Sequence, residues 1–133
     1  MEQNKALTLV GNAFRGRKNP PQKKGVGNDH FGCYIRLSFM TPAIGRQSSE
    51  LIQKLASETG WRIRIADSVN QNEIFRMALE ECEKRNVELM KNPSYQPGTG
   101  SLVLRPVIGT DPDRLAEVIW ALTDKTGLKI TSV

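Results

Sequence analysis

Two short stretches of the chain alternate apolar and polar residues, which is the pattern of a strand with one buried and one exposed side. Residues 33–40 read CYIRLSFM, so the isoleucine, the leucine and the phenylalanine share one side of the strand. Residues 61–65 read WRIRI and alternate in the same way. The exposed sides of these two predicted strands carry an aromatic ring and three cations: Tyr34, Arg36, Arg62 and Arg64.

Three further apolar runs also predict strands. Residues 6–10 (ALTLV) favour a short strand that ends at a Gly-Asn turn, and residues 102–107 and 128–133 predict two more strands. Residues 13–32 contain several glycines, a Pro-Pro pair and most of the basic side chains of the N-terminal region. This composition predicts a long basic loop, because proline removes hydrogen-bond donors and glycine adds backbone freedom.

Three segments show the helical spacing of apolar residues together with recognisable ends. The first begins near residue 48 and stops at a Thr-Gly pair, where glycine suits the left-handed cap position. The second covers residues 70–91 and begins at the capping residue Asn70. The third begins at Asp111, which is followed by a proline, and stops at a second Thr-Gly pair.

The segments 34–66 and 101–133 align at a constant offset of 67 residues with seven identities, which include both Thr-Gly pairs. Internal duplication and the similarity common to all βαβ units explain this match equally well. Two βαβ units place their helices on one face of a sheet. We therefore expect an α+β fold in which the two units form a ferredoxin-like sheet with an extra helix and a basic N-terminal arm. An open α/β sheet is the alternative.

The predicted organisation has two parts. Residues 1–32 form an N-terminal strand plus a long basic loop, and residues 33–133 form a single α/β domain in which the helix over 70–91 joins the two βαβ units. The net charge of +5 follows this division, since residues 1–32 hold six Lys and Arg against two Asp and Glu. The remainder is almost neutral, with 13 basic against 12 acidic residues.

Composition removes several classes of protein. No apolar run reaches the roughly 18 residues that a membrane-spanning helix needs, and the polar N-terminus lacks the apolar core of a secretion signal. His30 is the only histidine, and Cys33 and Cys82 are far apart in the sequence. One histidine and two distant cysteines supply few ligands for a metal site and few groups for histidine-assisted catalysis. We therefore expect a cytoplasmic, non-enzymatic protein with no cofactor, no metal and no membrane association.

Cations on an exposed sheet face beside a basic loop are typical of proteins that bind phosphate backbones, and aromatic rings on such a face can stack on bases. The sequence therefore predicts a domain that binds single-stranded nucleic acid or RNA. The predicted contacts are Arg15, Arg17, Lys18, Lys23, Lys24, Phe31, Tyr34, Arg36, Arg62, Arg64, Arg105 and Lys129. The alternative is a protein-interaction module or a subunit of a larger complex, with a partner bound through Trp120 or the acidic helix 73–88.

Short stretches resemble parts of known nucleic-acid-binding families. His30–Leu37 (HFGCYIRL) is similar to the aromatic strand motif of RNA-recognition-motif domains, with one extra residue and a different position relative to the helices. Asn4–Asn12 (NKALTLVGN) resembles the first strand of bacterial single-stranded-DNA-binding OB domains. The G-x-x-G that KH domains place between two helices does not occur. These resemblances are too short to assign a family.

Overall fold

The computed structural model describes all 133 residues and contains five helices and six strands. The elements in chain order are α1 (Gln3–Phe14), β1 (Lys23–Asp29), β2 (Gly32–Ser38), α2 (Pro42–Arg46), α3 (Ser49–Thr59), β3 (Arg62–Ile65), α4 (Gln71–Lys84), β4 (Ser94–Gln96), β5 (Ser101–Leu104), α5 (Pro112–Thr126) and β6 (Lys129–Ser132). The strands form two separate three-stranded sheets, ordered β1-β2-β3 and β4-β5-β6. The fold is therefore α+β, with two small mixed sheets in place of the expected single ferredoxin-like sheet.

The chain divides into two compact units, Met1–Val69 (unit 1) and Asn70–Val133 (unit 2). In each unit, a first helix leads into an antiparallel hairpin, and a helical connection then leads to a strand that pairs in parallel with the second hairpin strand. The boundary differs from the expected division after residue 32. Residue 32 lies inside the β1–β2 hairpin, and the hydrogen bonds between these two strands join the segment before it to the segment after it.

The register of the parallel strands repeats at the offset seen in the sequence. Tyr34 lies opposite Arg62 in unit 1, and Ser101 lies opposite Lys129, each 67 residues further on, in unit 2. The connecting helices end alike. Thr59 and Thr126 donate their hydroxyls to carbonyls one turn earlier, and a glycine with positive φ follows each of them. The two units are therefore copies of one backbone design.

The predicted strand over residues 6–10 is wrong, because this segment lies within α1. Ala6, Val10 and Phe14 are buried at intervals of four residues, which is the spacing of a helix face. Glu2 caps the helix by accepting hydrogen bonds from two backbone N–H groups, at 3.0 and 3.2 Å. An apolar run of five residues suits a strand or a helix equally, so tertiary packing decides between them.

The long basic loop is also shorter than predicted, since β1 occupies Lys23–Asp29 and pairs along its whole length with β2. Later in the chain, the short strand β4 is one that the sequence analysis did not predict. The strand predicted over 102–107 ends at Leu104. In the structure, no helix combines the length and the apolar character needed to cross a membrane.

Helix α4 contains a buried charge. The side chain of Glu81 is only 3 % exposed. It accepts hydrogen bonds from Lys125 of α5 and from Arg85, and Lys84 lies 3.5 Å away. The hydrogen bond from Lys125, with the other two cations, holds the pKa of Glu81 at about 2. This cluster links the two helices of unit 2.

Candidate nucleic-acid interface

The exposed face of the unit 1 sheet collects the aromatic ring and the cations that strand alternation predicts. Ile35 and Leu37 are fully buried on the other face, so their neighbours on β2 point outward. The parallel register places Tyr34 opposite Arg62 and Arg36 opposite Arg64. We call these four residues the arginine face.

An acidic residue that the sequence argument left out belongs to this face. Asp29, the last residue of β1, accepts two hydrogen bonds from Arg62, at 2.6 and 3.0 Å, and one from Arg64, at 3.1 Å. Arg62 also donates to the carbonyl of Gly32 at 2.8 Å. The hydrogen bonds from Arg62 hold the pKa of Asp29 at about 2, and Asp29 in turn raises the pKa of Arg62. Most of the donors of Arg62 are therefore already used within the protein.

The aromatic residues of this region differ in what they already contact. The guanidinium carbons of Arg62 and Arg64 lie 5.6 and 5.1 Å from the centre of the Tyr34 ring. The same ring lies against Gly27, where an added Cβ would be only 2.6 Å from it. Phe31, at the tip of the hairpin, is 82 % exposed. Tyr34 therefore packs against both arginines, while the Phe31 ring, which lies 6.0 Å from the Arg62 guanidinium and 5.5 Å from the His30 ring, keeps most of its surface open to solvent.

Arg36 and Arg64 form a pair of like charges. They are in-register neighbours on adjacent strands, and like charges placed directly opposite each other destabilise a sheet. Arg36 makes no ion pair with any residue of the protein, and Arg64 uses one donor on Asp29. Both side chains line a cleft of about 380 Å³ at the carboxyl ends of β2 and β3. This arrangement leaves several guanidinium N–H groups available to an anion.

The other predicted contacts in unit 1 do not all join the arginine face. Lys23 lies opposite Ser38 and therefore points to the same side of the sheet. Lys24 points to the other side, where its ammonium group donates to the carbonyl of Leu7 at 3.3 Å. The three basic residues after α1 are exposed and make no hydrogen bond or ion pair with the face: Arg15, Arg17 and Lys18.

Arg105 and Lys129 do not belong to the sheet that carries the arginine face, so the expectation of one sheet face with five cations is wrong. Both residues belong to unit 2, whose strands form their own sheet. In that sheet, the positions equivalent to Arg36 and Arg64 hold Val103 and Thr131. The arginine pair is therefore a feature of unit 1 alone.

The net charge follows the same division. Unit 1 holds 11 Lys and Arg residues against five Asp and Glu, which gives a net charge of +6. Unit 2 holds eight against nine, which gives −1. The net positive charge of the protein therefore resides in the unit that carries the arginine face. It extends beyond residues 1–32, the segment to which the sequence analysis assigned it.

Sequence reasoning missed one further feature, the tight turn between α2 and α3. Gln47 and Ser48 form this turn, and Gly45, within α2, lies so close to Phe39 that an added Cβ would be 2.6 Å from the ring. Arg46 is exposed and unpaired, and the side chain of Ser48 does not cap α3.

The surface of unit 2 carries large exposed apolar side chains, whereas unit 1 carries the excess of positive charge. Trp120 on α5 is 72 % exposed. Ile108 and Met90 are exposed as well. Trp61, in contrast, is half-buried, and its indole N–H donates to the carbonyl of Met1 at 2.7 Å.

Comparison of the chain with models of known protein families and with curated proteins gave no match. The functional argument therefore depends on the geometry and the electrostatics described above. Among these, the paired arginines Arg36 and Arg64 beside an open cleft are the feature that bears most directly on a ligand.

Proposed function

We propose that the protein binds nucleic acid without catalysing a reaction, and that unit 1 contacts the phosphate backbone of a single strand or of RNA. The observation that carries this proposal is the in-register pair of Arg36 and Arg64. Arg36 makes no ion pair and Arg64 makes only one, so a phosphate bound at this end of the sheet would accept charge-assisted hydrogen bonds from their remaining N–H groups. Counterion release from the nucleic acid would add to the free energy of binding.

The fold itself does not require these charges. Unit 2 has the same strand register, and it holds a buried valine and a half-buried threonine where unit 1 holds the two arginines. The backbone is therefore compatible with neutral residues at both positions. The two arginines carry like charges on neighbouring strands, and the fold does not need them. Both points favour a role in binding.

The remaining residues of unit 1 are assigned supporting roles. Arg62 is bound to Asp29, so it holds the hairpin end in place and contacts the ligand less directly than Arg64. Phe31 would stack on a base that is not paired, which favours a single strand over a duplex. The exposed basic residues that follow α1 would add further phosphate contacts: Arg15, Arg17 and Lys18.

The test is a titration of fluorescent single-stranded DNA, RNA and duplex at about 0.05 M and about 0.2 M salt. For the double variant Arg36→Ala/Arg64→Ala, we expect the dissociation constant to rise at least about tenfold. The slope of log affinity against log salt should fall by about 1, because the two arginines together neutralise one phosphate. The matched control is Lys91→Ala/Lys129→Ala, which removes the same charge from exposed positions of unit 2. Equal effects of the two double variants would show that the arginine face is not the contact surface.

The α2–α3 turn offers a second contact surface within the same function. Arg46, the last residue of α2, is exposed there and makes no ion pair, so its guanidinium group is available to an anion. The variant Arg46→Ala, measured in the same titration, separates a contact at the turn from a contact at the arginine face.

Protein binding by unit 2 is the second candidate function. The observation that favours it is the exposed Trp120, since large apolar side chains on a surface often mark a contact with another protein. This function predicts association that is insensitive to salt, and no retention of oligonucleotide. Sedimentation of the wild-type protein and of Trp120→Ser at both salt concentrations tests for self-association through this residue.

A further inference from the structure

The cleft beside the arginine face contains an acidic residue that is not bound to the arginines. Its polar lining consists of Tyr34, Arg36, Ser38, Arg64, Asp67 and Ser68. Asp67 is exposed and makes no ion pair or hydrogen bond within the protein. The arginines instead meet Asp29 at the opposite end of the strands. The cleft therefore presents cations and an unused hydrogen-bond acceptor to the same ligand.

A carboxylate near a phosphate site weakens the binding of a bare anion, because the two negative charges repel. It favours a ligand that carries a hydrogen-bond donor next to its phosphate. In a ribonucleotide, the 2′-hydroxyl is attached to the carbon beside the one that bears the 3′-phosphate. A deoxyribonucleotide lacks this donor, and the 2′-hydroxyl is the group by which proteins distinguish RNA from DNA.

We infer that the cleft holds one ribonucleotide of a single-stranded RNA. Arg36 and Arg64 bind its phosphate, and Asp67 accepts a hydrogen bond from its 2′-hydroxyl. The volume of about 380 Å³ suits a single nucleotide unit, since sites for small molecules span roughly 300–1,000 Å³. This inference rests on the proposed nucleic-acid-binding function and makes it more specific, because it assigns a preference for RNA to one side chain.

The base of a nucleotide also carries N–H donors, but the position of Asp67 favours a hydrogen bond from the sugar. Asp67 follows Arg64 by three residues and lines the same small cleft. An acceptor this close to the phosphate-binding groups reaches the sugar attached to that phosphate before it reaches the base. A contact with the sugar is independent of sequence, so the preference should hold for several base compositions.

The experiment compares three oligonucleotides of identical sequence: RNA, DNA and 2′-O-methyl RNA, in which the hydroxyl proton is absent. We expect the wild-type protein to bind RNA at least about tenfold more tightly than the other two, as for a hydrogen bond to a charged group. Asp67→Ala should abolish this preference by weakening RNA binding, with DNA binding unchanged or slightly stronger. The control Glu58→Ala removes the same charge from an exposed position of unit 1 and should keep the preference.

The contrary outcomes are distinguishable. If all three oligonucleotides bind equally well, or if Asp67→Ala leaves the ratio of RNA to DNA affinity unchanged, the role of Asp67 is overturned and the proposed function stands. The role of Asp67 is also overturned if the variant alters the preference among bases and leaves the preference for RNA intact. If no oligonucleotide binds, the proposed function fails, and the inference fails with it.

Discussion

Glu81 is the one charged residue that the protein buries, and its replacement by glutamine is expected to destabilise unit 2. Its carboxylate accepts hydrogen bonds from Lys125 and Arg85, and these bonds connect α4 with α5. Glutamine has nearly the same size but carries no charge. The variant therefore removes the ion pairs while it preserves the packing, and it leaves the cations without their common partner.

The magnitude follows from the pKa. A carboxyl whose pKa is held at about 2, against 4.5 in the absence of the fold, contributes about 3 kcal/mol of stability at neutral pH. Removal of one partner from a fully buried pair costs roughly 3–5 kcal/mol. The three cations around Glu81 are themselves partly exposed and can be rehydrated, so the lower value applies. We expect Glu81→Gln to lower the free energy of unfolding by about 2–3 kcal/mol.

The pH dependence gives an independent check. Because the folded pKa of Glu81 is depressed, its contribution is complete above about pH 5 and is lost as the pH falls towards 2. The difference between wild type and Glu81→Gln should therefore be largest at neutral pH and should shrink steadily below pH 5. In the glutamine variant, this part of the acid-induced loss of stability should be absent.

Urea denaturation followed by tryptophan fluorescence measures both effects. A Trp61→Phe background leaves Trp120 on α5 as the only tryptophan, so the signal reports on unit 2. Glu80→Gln is the control, since its carboxylate is exposed and pairs with Arg76 on the surface. That change should cost less than about 1 kcal/mol. Equal urea midpoints for Glu81→Gln and wild type at pH 7 would refute the assignment of a stabilising role to the buried cluster.

Three further predictions concern unit 1. Phe31→Ala should weaken binding to single-stranded oligonucleotide by about 1–3 kcal/mol, with an unchanged melting temperature because the ring is exposed. Gly27→Ala should destabilise the hairpin by about 1–3 kcal/mol, since its Cβ would overlap the Tyr34 ring, and thermal denaturation measures the loss. Asp29→Asn should strengthen nucleic-acid binding and steepen its salt slope by about 1, because Arg64 gains donors for phosphate; a shallower slope in the titration would contradict this.

The sequence predicted those elements whose signal is local. Strict alternation predicted β2 and β3 together with the sides to which Tyr34 and the arginines point, because period two is a property of the strand itself. The Thr-Gly pairs predicted the ends of α3 and α5, where Gly60 and Gly127 adopt the positive φ that glycine tolerates. These signals depend on a few neighbouring residues, so the rest of the fold does not alter them.

The features that were missed depend on pairing between distant segments. Strand β1 reads KKGVGND, and its glycines and charges argue against a strand. The glycines are explained only by the hairpin, in which the Tyr34 ring lies across Gly27. The same register brings Asp29 to Arg62, 33 residues away along the chain. The burial of Glu81 likewise depends on a lysine of α5, which spacing within α4 does not reveal.

The two units show that binding and stability should be separable in this protein. They share one register, so the residues that differ at equivalent surface positions reflect something other than the needs of the backbone. Arg36 makes no ion pair, so its replacement should leave the melting temperature almost unchanged while nucleic-acid binding falls; replacement of Arg64 also removes an exposed ion pair with Asp29, which should cost less than about 1 kcal/mol. Glu81→Gln should do the opposite, since it weakens unit 2 and leaves the arginine face of unit 1 intact. A single variant that lost stability and binding together at the arginine face would show that these charges serve the fold.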